Sequence, residues 1–524
     1  MDNANYRMVF DSGSKQLKCA IATDTAQIIA FETLQLDLII SPDGFSRERN
    51  TKTTWPSILQ LIQKTIKSAG IDPKSIRYIT SSSIRPSCVF ADSENTALYI
   101  GSSFDLGGID YADELDEQFE EIAQKSFYES TGHHPSLLFC PGRYLFCKSR
   151  MEAQGDTGEI AQYLPFDSWI LMKLGAEAHA NYMSAAESGF FDLHEKTWHT
   201  AWNTILDLPD YFFPWPVAAG EIVGTISEEI HQEIGLSPEC ELVAGLPDTQ
   251  AALLGGQCIR PGNLAAVLGS TTPVQALTEN LFLEEQQQTW STLFTVKNLA
   301  DCYILEANTG ITGQNLKWAA NLFYSETAET LEKRYAMLGA AYRKYDAWEI
   351  LAEPQKIQEN SVVALLGPQP LASSQTAITP GLFHFQSPGG VEETQASQDA
   401  FITSIYDNIQ FAITENIRIL KERLHISPER HTILGGVARD RTLVQRFADL
   451  LETPVITTSH HEATIHGLLI LCDIAAGSIN TADALLNRNE NHKILDSYRP
   501  RAAMVPKLAN RFTEWKKLFK KYQL

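Results

Sequence analysis

Four short stretches of the chain carry residue types suited to a phosphorylated or hydroxylated ligand. Asp11-Ser12-Gly13-Ser14-Lys15 joins two candidate strands. A Gly/Ser turn between strands gathers backbone N–H groups and hydroxyls at one point, and such a nest binds phosphate without net positive charge. Asp11 beside it would repel phosphate unless Mg²⁺ lies between, usually through retained waters, and Lys15 adds a point charge. The same turn is equally a good hairpin turn. Gly269-Ser270-Thr271-Thr272 repeats the pattern with the same two readings. Ile433 to Asp440 runs a strand into Gly435-Gly436 and then, past Arg439, into a helix. Glycines there admit adenine or phosphate to the backbone, or serve only close packing. Asp248 follows a buried-looking strand at the first position of a helix, where the positive helix end favours its ionised form. A carboxylate so held can take a hydroxyl proton as that oxygen attacks a phosphoryl group. An aspartate there is also an ordinary N-cap.

Strands and helices must position these groups. Met8 to Phe10, Leu17 to Thr23 and Gln27 to Leu36 read as short antiparallel strands. Trp55, Ile58, Leu59, Ile62 and Ile66 fall on one helix face that ends at Gly70, and Arg77 to Ser81 is the next strand. Pro141 to Trp198 reads as helices, and Pro209 to Gly224 as a Pro- and aromatic-rich crossing. Glu241 to Ala244 is a strand interrupted by Gly245-Leu246-Pro247-Asp248, before a small-residue helix from Thr249 to Gly255. After Pro261-Gly262 the opening motif recurs: Leu264 to Leu268, a Gly and hydroxyl turn, then Pro273 to Leu277. Two such units, one at the start of each half, predict a duplicated α/β architecture. Phe401, Ile405, Ile409, Ala412, Ile413 and Leu420 mark a long core-facing helix, and Pro368 to Gly390 a loop.

At 524 residues, with 44% hydrophobic and 20% charged residues, the composition is that of two or three globular domains. The formal net charge, 42 − 64 = −22, repels phosphate backbones and anionic lipid, so neither nucleic acid nor membrane is expected as a partner. No apolar run reaches transmembrane length. No basic region with an apolar stretch opens the chain, so no signal peptide is expected. Eight cysteines without a Cys-x-x-Cys pair suit free thiols in a reducing cytoplasm.

Other groups favour structural roles. The acidic run Asp110 to Glu121 reads as a solvated helix face. His133-His134 and His460-His461, with His466, lack further ligands at metal spacing and read as exposed or core-satisfied histidines. Trp198, Trp202 and Trp318 read as core or cleft wall. Neither a Walker sequence nor a dinucleotide fingerprint occurs.

Taken in order, these residues resemble the FGGY family of carbohydrate kinases from about Val9 to about Leu471. That family's first phosphate motif has Asp, Gly, Thr, Ser and Arg at alternating places; here it reads Asp11, Gly13, Ser14, Gln16 and Lys18. Its catalytic segment is similar to Gly245 to Gly255, with Asp248 as general base. Its second phosphate loop is similar to Ser270-Thr271-Thr272. Gly313 with Trp318, and Gly435-Gly436 through Gln445 and Ala448-Asp449, resemble its nucleotide motifs. Asp167, Trp169, Gly175, Ser184, Ser188, Asp192 and Trp198 match its middle segment, and Glu462-Ala463-Thr464 with Gly467 its C-terminal one. The resemblance implies two actin/hexokinase-like (ribonuclease H-like) domains around a deep interdomain cleft, at 1–259 and 260–524. The first would bind the sugar, the second ATP, and closure would exclude water as a competing acceptor.

Xylulokinase-like members carry Gln-Met-His and Asn-Asp-x-Arg where this chain has Ile84-Arg85-Pro86 and Phe104-Asp105-Leu106-Gly107. Ser83-Ile84-Arg85 with Phe104-Asp105 is closer to the branch that includes autoinducer-2 kinase, although Gly107 stands where that branch has Arg. The resemblance thus implies an ATP-dependent kinase, with Ser83, Arg85 and Asp105 lining the acceptor pocket. Asp248 would take the hydroxyl proton and Asp11 would position hydrated Mg²⁺. Gly13, Ser14, Lys15, Gly269, Thr271 and Thr272 would hold phosphates, while Gly313, Gly435, Gly436 and Arg439 would flank the nucleotide. The acceptor would be a hydroxyl of a small sugar, ketose or polyol, and a homodimer is compatible with this reading. The alternatives are a non-catalytic sugar sensor or scaffold on the same fold, and an ATPase with a protein client.

Overall fold

The computed structural model describes residues 5–14, 16–103, 105–374, 381–385, 396–458, 462–492 and 495–522. Lys15, Phe104, His460, His461 and, within the expected loop from 368 to 390, residues 375–380 and 386–390 lie outside the described residues. The chain forms two compact units: Met1–Pro261 with Leu277–Ile304 and Glu462–His492, and Gly262–Ala276 with Leu305–His461 and Lys493–Leu524. The split is therefore not a single cut near residue 260, because two later segments join the first unit.

The first unit is built on a six-stranded sheet of β1 (Tyr6–Ser12), β2 (Gln16–Ala22), β3 (Ile28–Gln35), β4 (Ile76–Ser83), β5 (Ile222–Thr225) and β6 (Glu241–Pro247), in the order β5-β6-β4-β1-β2-β3. β1 to β3 form an antiparallel meander, and β1, β4 and β6 run parallel. β1 is buried throughout after Tyr6, as a central strand covered on both faces must be. Helix α1 (Thr51–Ala69) starts where the Asn50 side chain accepts from the Lys52 N–H and stops at Gly70, whose φ of 64° needs no Cβ. Its buried face, Ile58, Leu59, Ile62 and Ile66, shares one core with Met8, Phe10 and Ile21; each such side chain contributes about 1.5–3 kcal/mol.

Two expectations change here. The stretch from Pro141 to Trp198 is not all helix: short strands Gln162–Leu164, His179–Asn181, Phe191–Asp192 and Thr197–Trp198 alternate with helices Cys140–Ala153, Phe166–Leu174 and Tyr182–Ala186. Strand β6 does not end at Ala244 but runs on through Pro247, with its pairing register to β4 shifting between Val243 and Leu246. Gly245 makes that irregularity, since a Cβ there would lie 1.7 Å from the Ser81 carbonyl oxygen. Helix α2 then spans Asp248–Gly255.

The second unit repeats the order. β7 (Leu264–Val267), β8 (Thr271–Thr278), β9 (Cys302–Ile311), β10 (His431–Leu434), β11 (Val455–Thr458) and β12 (Leu495–Tyr498) are arranged β9-β8-β7-β10-β11-β12. The hairpin β7–β8 again leads into two parallel neighbours, with an antiparallel strand at the far edge. The duplication read from the two Gly and hydroxyl turns is therefore one of six strands in the same order, within a second sheet of seven. Helices α3 (Gly313–Tyr324), α4 (Gln398–Leu424) and α5 (Arg441–Leu451) pack beside this sheet. In α4, Ile405, Ile409, Ala412, Ile413 and Leu420 are buried as the spacing predicts. Leu382–Phe385, inside the stretch expected as loop, pairs with Val362–Leu365.

Candidate active site

In the first unit the parallel strands β1, β4 and β6 end level with one another. Ser12 pairs with Ser83, and Ser83 with Pro247, so Asp11, Ser83 and Asp248 emerge at the carboxyl ends of adjacent strands. Ligands of open α/β sheets bind at such strand ends. Asp248 is the first residue of α2; it is half-buried, and its Oδ1 accepts from the Thr249 N–H at 2.8 Å. Burial, followed by the like charge of Asp11, pushes its carboxyl up to about 7, against the opposing pull of Arg85, that N–H and Lys18. The helix end's preference for the ionised form of Asp248 is thus outweighed in part, by desolvation and a second carboxylate.

Helix α2 is seated against the helix Ala463–Ala475 through two glycines. A Cβ on Gly467 would lie 1.9 Å from the Ala251 carbonyl oxygen, and one on Gly255 would lie 2.1 Å from that of Ala463. Thr464 Oγ1 also donates to the Asp248 carbonyl at 3.3 Å.

Asp11 is buried in β1, opposite Lys18 of β2. Lys18 Nζ donates to Asp11 Oδ2 at 3.0 Å and to Glu462 Oε2 at 2.8 Å, and Ser82 Oγ to Asp11 Oδ1 at 3.3 Å. Burial opposes the charge on Lys18, but Asp11 and Glu462 overcome it and hold the amine above its usual range. Lys18, which stands at the resemblance's arginine position, is therefore an ion-pair partner for Asp11. In the turn itself the Gly13 N–H donates to the Gln16 carbonyl at 3.0 Å.

Arg49 braces that turn from below and was not singled out in the sequence. Its Nη1 donates to Ser12 Oγ at 2.9 Å and its Nη2 to the Gly13 carbonyl at 3.2 Å, while its guanidinium lies 4.1 Å from the centre of the Phe166 ring. Burial lowers it to about 10.

The acceptor candidates divide. Ser83 Oγ donates to Asp167 Oδ1 at 3.0 Å, and Asn181 Nδ2 donates to Asp167 Oδ2 at 2.7 Å. Burial lifts the Asp167 carboxyl to about 6, with Ser83 and Ser184 opposing. Arg85 Nη1 donates to the buried Glu187 Oε1 at 2.6 Å, and its electrostatic effect on Asp248 places it at the same end of the sheet. Asp105 is not brought to this group by its side chain. It is fully buried, with Oδ1 accepting from the Gly107 and Arg47 N–H groups at 2.9 and 3.2 Å and Oδ2 from the Tyr99 hydroxyl. These bonds engage both carboxylate oxygens in holding the local loop. No local pattern announced Glu187, whose partners lie 54 to 102 residues away in the chain.

The second unit assembles its own group. The Gly269 N–H donates to the Thr271 carbonyl at 3.0 Å, and the Gly313 N–H to the Gly269 carbonyl at 3.1 Å. The hydroxyls of Thr272 and Thr312 are 2.7 Å apart. A Cβ on Gly313 would lie 2.4 Å from the Gly269 carbonyl oxygen, and one on Gly435, whose φ is 93°, 2.4 Å from that of Leu268. Gly269, Thr271, Thr272, Gly313 and Gly435 thus converge on the end of β7. Gly436 stands open beside Gly435, and Arg439 is exposed three residues on, at the end of the same short turn.

The chain belongs to the FGGY family of carbohydrate kinases: residues 6–255 match that family's N-terminal domain and residues 264–476 its C-terminal domain. It is a carbohydrate kinase. It is 26% identical over 473 residues to the Bacillus subtilis protein named "Putative sugar kinase YoaC", covering 89% of each chain. To the autoinducer-2 kinase of Escherichia coli it is 21% identical over 478 residues, covering 90% of this chain and 86% of that one. The crystal structure of xylulose kinase from Rhodospirillum rubrum superposes with a TM-score of 0.78 at 17% identity, covering 99% of both chains, and shares the fold. That of gluconate kinase from Lactobacillus acidophilus gives 0.78 at 16% identity, over 99% of this chain and 98% of that one. The family's phosphoryl donor, ATP, is the second substrate this membership implies.

Proposed function

We propose that the protein transfers the γ-phosphoryl group of ATP to a primary hydroxyl of a small ketose, polyol or related polyhydroxy carbonyl compound. The observation that carries this reading is Asp248, half-buried at the strand ends with a proton affinity near neutrality, where a general base works best. The acceptor oxygen attacks the γ-phosphorus, the bond to the bridging oxygen breaks, ADP departs, and Asp248 takes the hydroxyl proton. Residues 1–259 supply the base and acceptor contacts, with Ser83 and Arg85 on the acceptor side. Residues 260–524 supply Gly269, Thr271, Thr272, Gly313, Gly435, Gly436 and Arg439 for the nucleotide. Gly13 and Ser14 add phosphate contacts from the first turn.

Among the described residues no group of three or more His, Cys, Asp or Glu side chains is arranged to hold a metal ion. Mg²⁺ needs no such cage, since it keeps waters and binds through one or two carboxylates and substrate phosphates. Asp11, close enough to Asp248 to raise its proton affinity, fits that demand. When bound, Mg²⁺ would offset the phosphate charge that these carboxylates otherwise repel.

The similarity to autoinducer-2 kinase, with Arg85 in electrostatic reach of Asp248, favours an acceptor with carbonyl oxygens near the reacting hydroxyl. Among the described residues no helix is long and apolar enough to cross a membrane. None of the eight cysteines forms a disulfide, which supports a cytoplasmic location. The test is ADP release with ATP and a panel of D-xylulose, L-ribulose, glycerol, gluconate and autoinducer-2. Turnover of at least one acceptor, lost in Asp248→Asn, is expected; an acceptor-independent rate unchanged by that substitution would overturn the reading.

A further inference from the structure

Glu187 is a buried carboxylate just after the short helix Tyr182–Ala186, and the phosphoryl-transfer reading leaves it unused. Its Oε1 accepts from Arg85 Nη1 at 2.6 Å and from Gln250 Nε2 at 3.0 Å. Its Oε2 lies 3.2 Å from His133 Nε2. The other ring nitrogen, His133 Nδ1, is 2.6 Å from the Thr131 carbonyl oxygen, which can only accept. Both ring nitrogens thus face oxygens, and Oε1 of Glu187 takes two further donors. His133 is fully enclosed, with the rings of Phe139 and Trp290 centred 4.7 and 5.4 Å away. A buried carboxylate persists only where it is paired and hydrogen-bonded, and Arg85, Gln250 and His133 meet that condition for Glu187.

Gln250 gives this group its reach, because it lies two residues after Asp248 on α2 and is itself fully buried. One carboxylate oxygen thereby ties the acceptor-side arginine to the helix that presents the base. We propose that Glu187 is a positioning residue that fixes Arg85 relative to Asp248, and that His133 holds Glu187 in place. The proposal rests on the reading of Arg85 as an acceptor contact. Loss of a charge-assisted hydrogen bond of this kind weakens binding roughly 10- to 100-fold.

Two measurements on the full chain test it. In protein labelled with ¹⁵N-histidine, the His133 signals, assigned by their loss in His133→Gln, should change in Glu187→Gln, because the ring is bonded to that carboxylate. Signals left unchanged by Glu187→Gln would overturn the role given to His133 whether or not any acceptor is turned over. With the panel acceptor of highest turnover, Glu187→Gln should raise the acceptor KM about tenfold or more, while the KM for ATP stays within about twofold. His133→Gln, which keeps a donor toward Oε2, should show the same pattern at smaller size. Equal rises in both KM values, or a fall in thermal midpoint with the acceptor KM unchanged, would reduce Glu187 to a structural ion pair. Failure of the whole panel would strike the acceptor reading, leaving the histidine spectrum to decide the rest.

Discussion

The charge on Asp11 raises the proton affinity of Asp248, and with burial it brings that carboxyl to about 7. A base must be ionised to accept a proton, so kcat/KM for the acceptor should fall about tenfold per pH unit below that value and level off above it. Asp11→Asn removes the like charge and should move this acid limb to lower pH. A pH profile of kcat/KM at fixed ATP checks both; a limb that stays near 4 in the wild type would contradict the raised affinity.

Stability should carry the opposite sign. Because the folded carboxyl holds its proton up to about 7 while the unfolded one releases it near 3.8, Asp248 stabilises the fold fully below the lower value, and that stability is lost as pH rises through the upper one. Asp248→Asn, which cannot ionise, should therefore melt a few degrees higher than wild type at pH 8 and show little difference at pH 4. Its turnover should be about 10²–10⁴ lower with ATP binding preserved. Thermal melts at the two pH values, run beside the kinetic assay, separate the effects; a variant less stable at pH 8 would show that Asp248 is held as a charged partner.

The two hairpin turns were legible because their chemistry is local: Gly13 and Gly269 stand between alternating apolar runs, and both sheets grow from those hairpins in the same order. The stripe on α4 was legible for the same reason, a 3.6-residue period that survives burial. The extension of β6 to Pro247 was not, since Gly245 signals a break by type and acts as an accommodated irregularity only against the Ser81 carbonyl. Asp105 and Arg85 looked alike as polar residues after strands, yet one is consumed by Tyr99 and nearby N–H groups, and the other is bound to a carboxylate 102 residues on. Long-range charge pairing leaves no periodic trace in a single chain, which is also why Arg49 and Glu187 went unread.

Arg49 should matter to the phosphate turn without touching the acceptor. Its two hydrogen bonds fix Ser12 and the Gly13 carbonyl from inside the sheet. Arg49→Leu should raise the KM for ATP several-fold, with the acceptor KM nearly unchanged, because a loosened turn loses pre-organisation. Arg49→Lys keeps the charge but not the fork, and should recover only part of the loss. Initial rates at varied ATP decide the point; an effect confined to the acceptor KM would place Arg49 elsewhere in the mechanism.

Gly467→Ala should act on the base through packing alone. The added Cβ meets the Ala251 backbone oxygen at 1.9 Å, so α2 must shift away from the helix Ala463–Ala475. Overpacking of this kind costs about 1–3 kcal/mol, and a displacement of about 1 Å at a reacting group can cost 10²-fold in rate. The expected variant is folded, lowered in its urea midpoint, and impaired in kcat more than in either KM. A wild-type kcat would mean that the helix pair relaxes without moving Asp248.

Arg446 offers a separate test, confined to the second unit. Fully buried on α5, it donates to Asp346 at 3.0 Å, Glu349 at 2.8 Å and Asp407 at 3.0 Å, while Arg511 pairs with Glu349 at 2.9 Å and also with Asp407. Burial raises the Asp407 carboxyl even with both arginines present. Arg446→Met would fill the space yet leave three carboxylates short of a counter-charge, and breaking a buried pair from one side costs about 3–5 kcal/mol. Lowering the pH should return part of that loss, since protonation then neutralises the abandoned carboxylates. Because α5 follows directly from the Gly435 turn, sub-denaturing urea should weaken ATP binding in this variant before it alters the near-ultraviolet signal of the tryptophan-rich first unit. Denaturant melts at pH 8 and pH 5.5, read with ATP titrations, check this; a cost under about 1 kcal/mol at pH 8 would mean that Arg511, with Arg501 on Asp346, neutralises the cluster without Arg446.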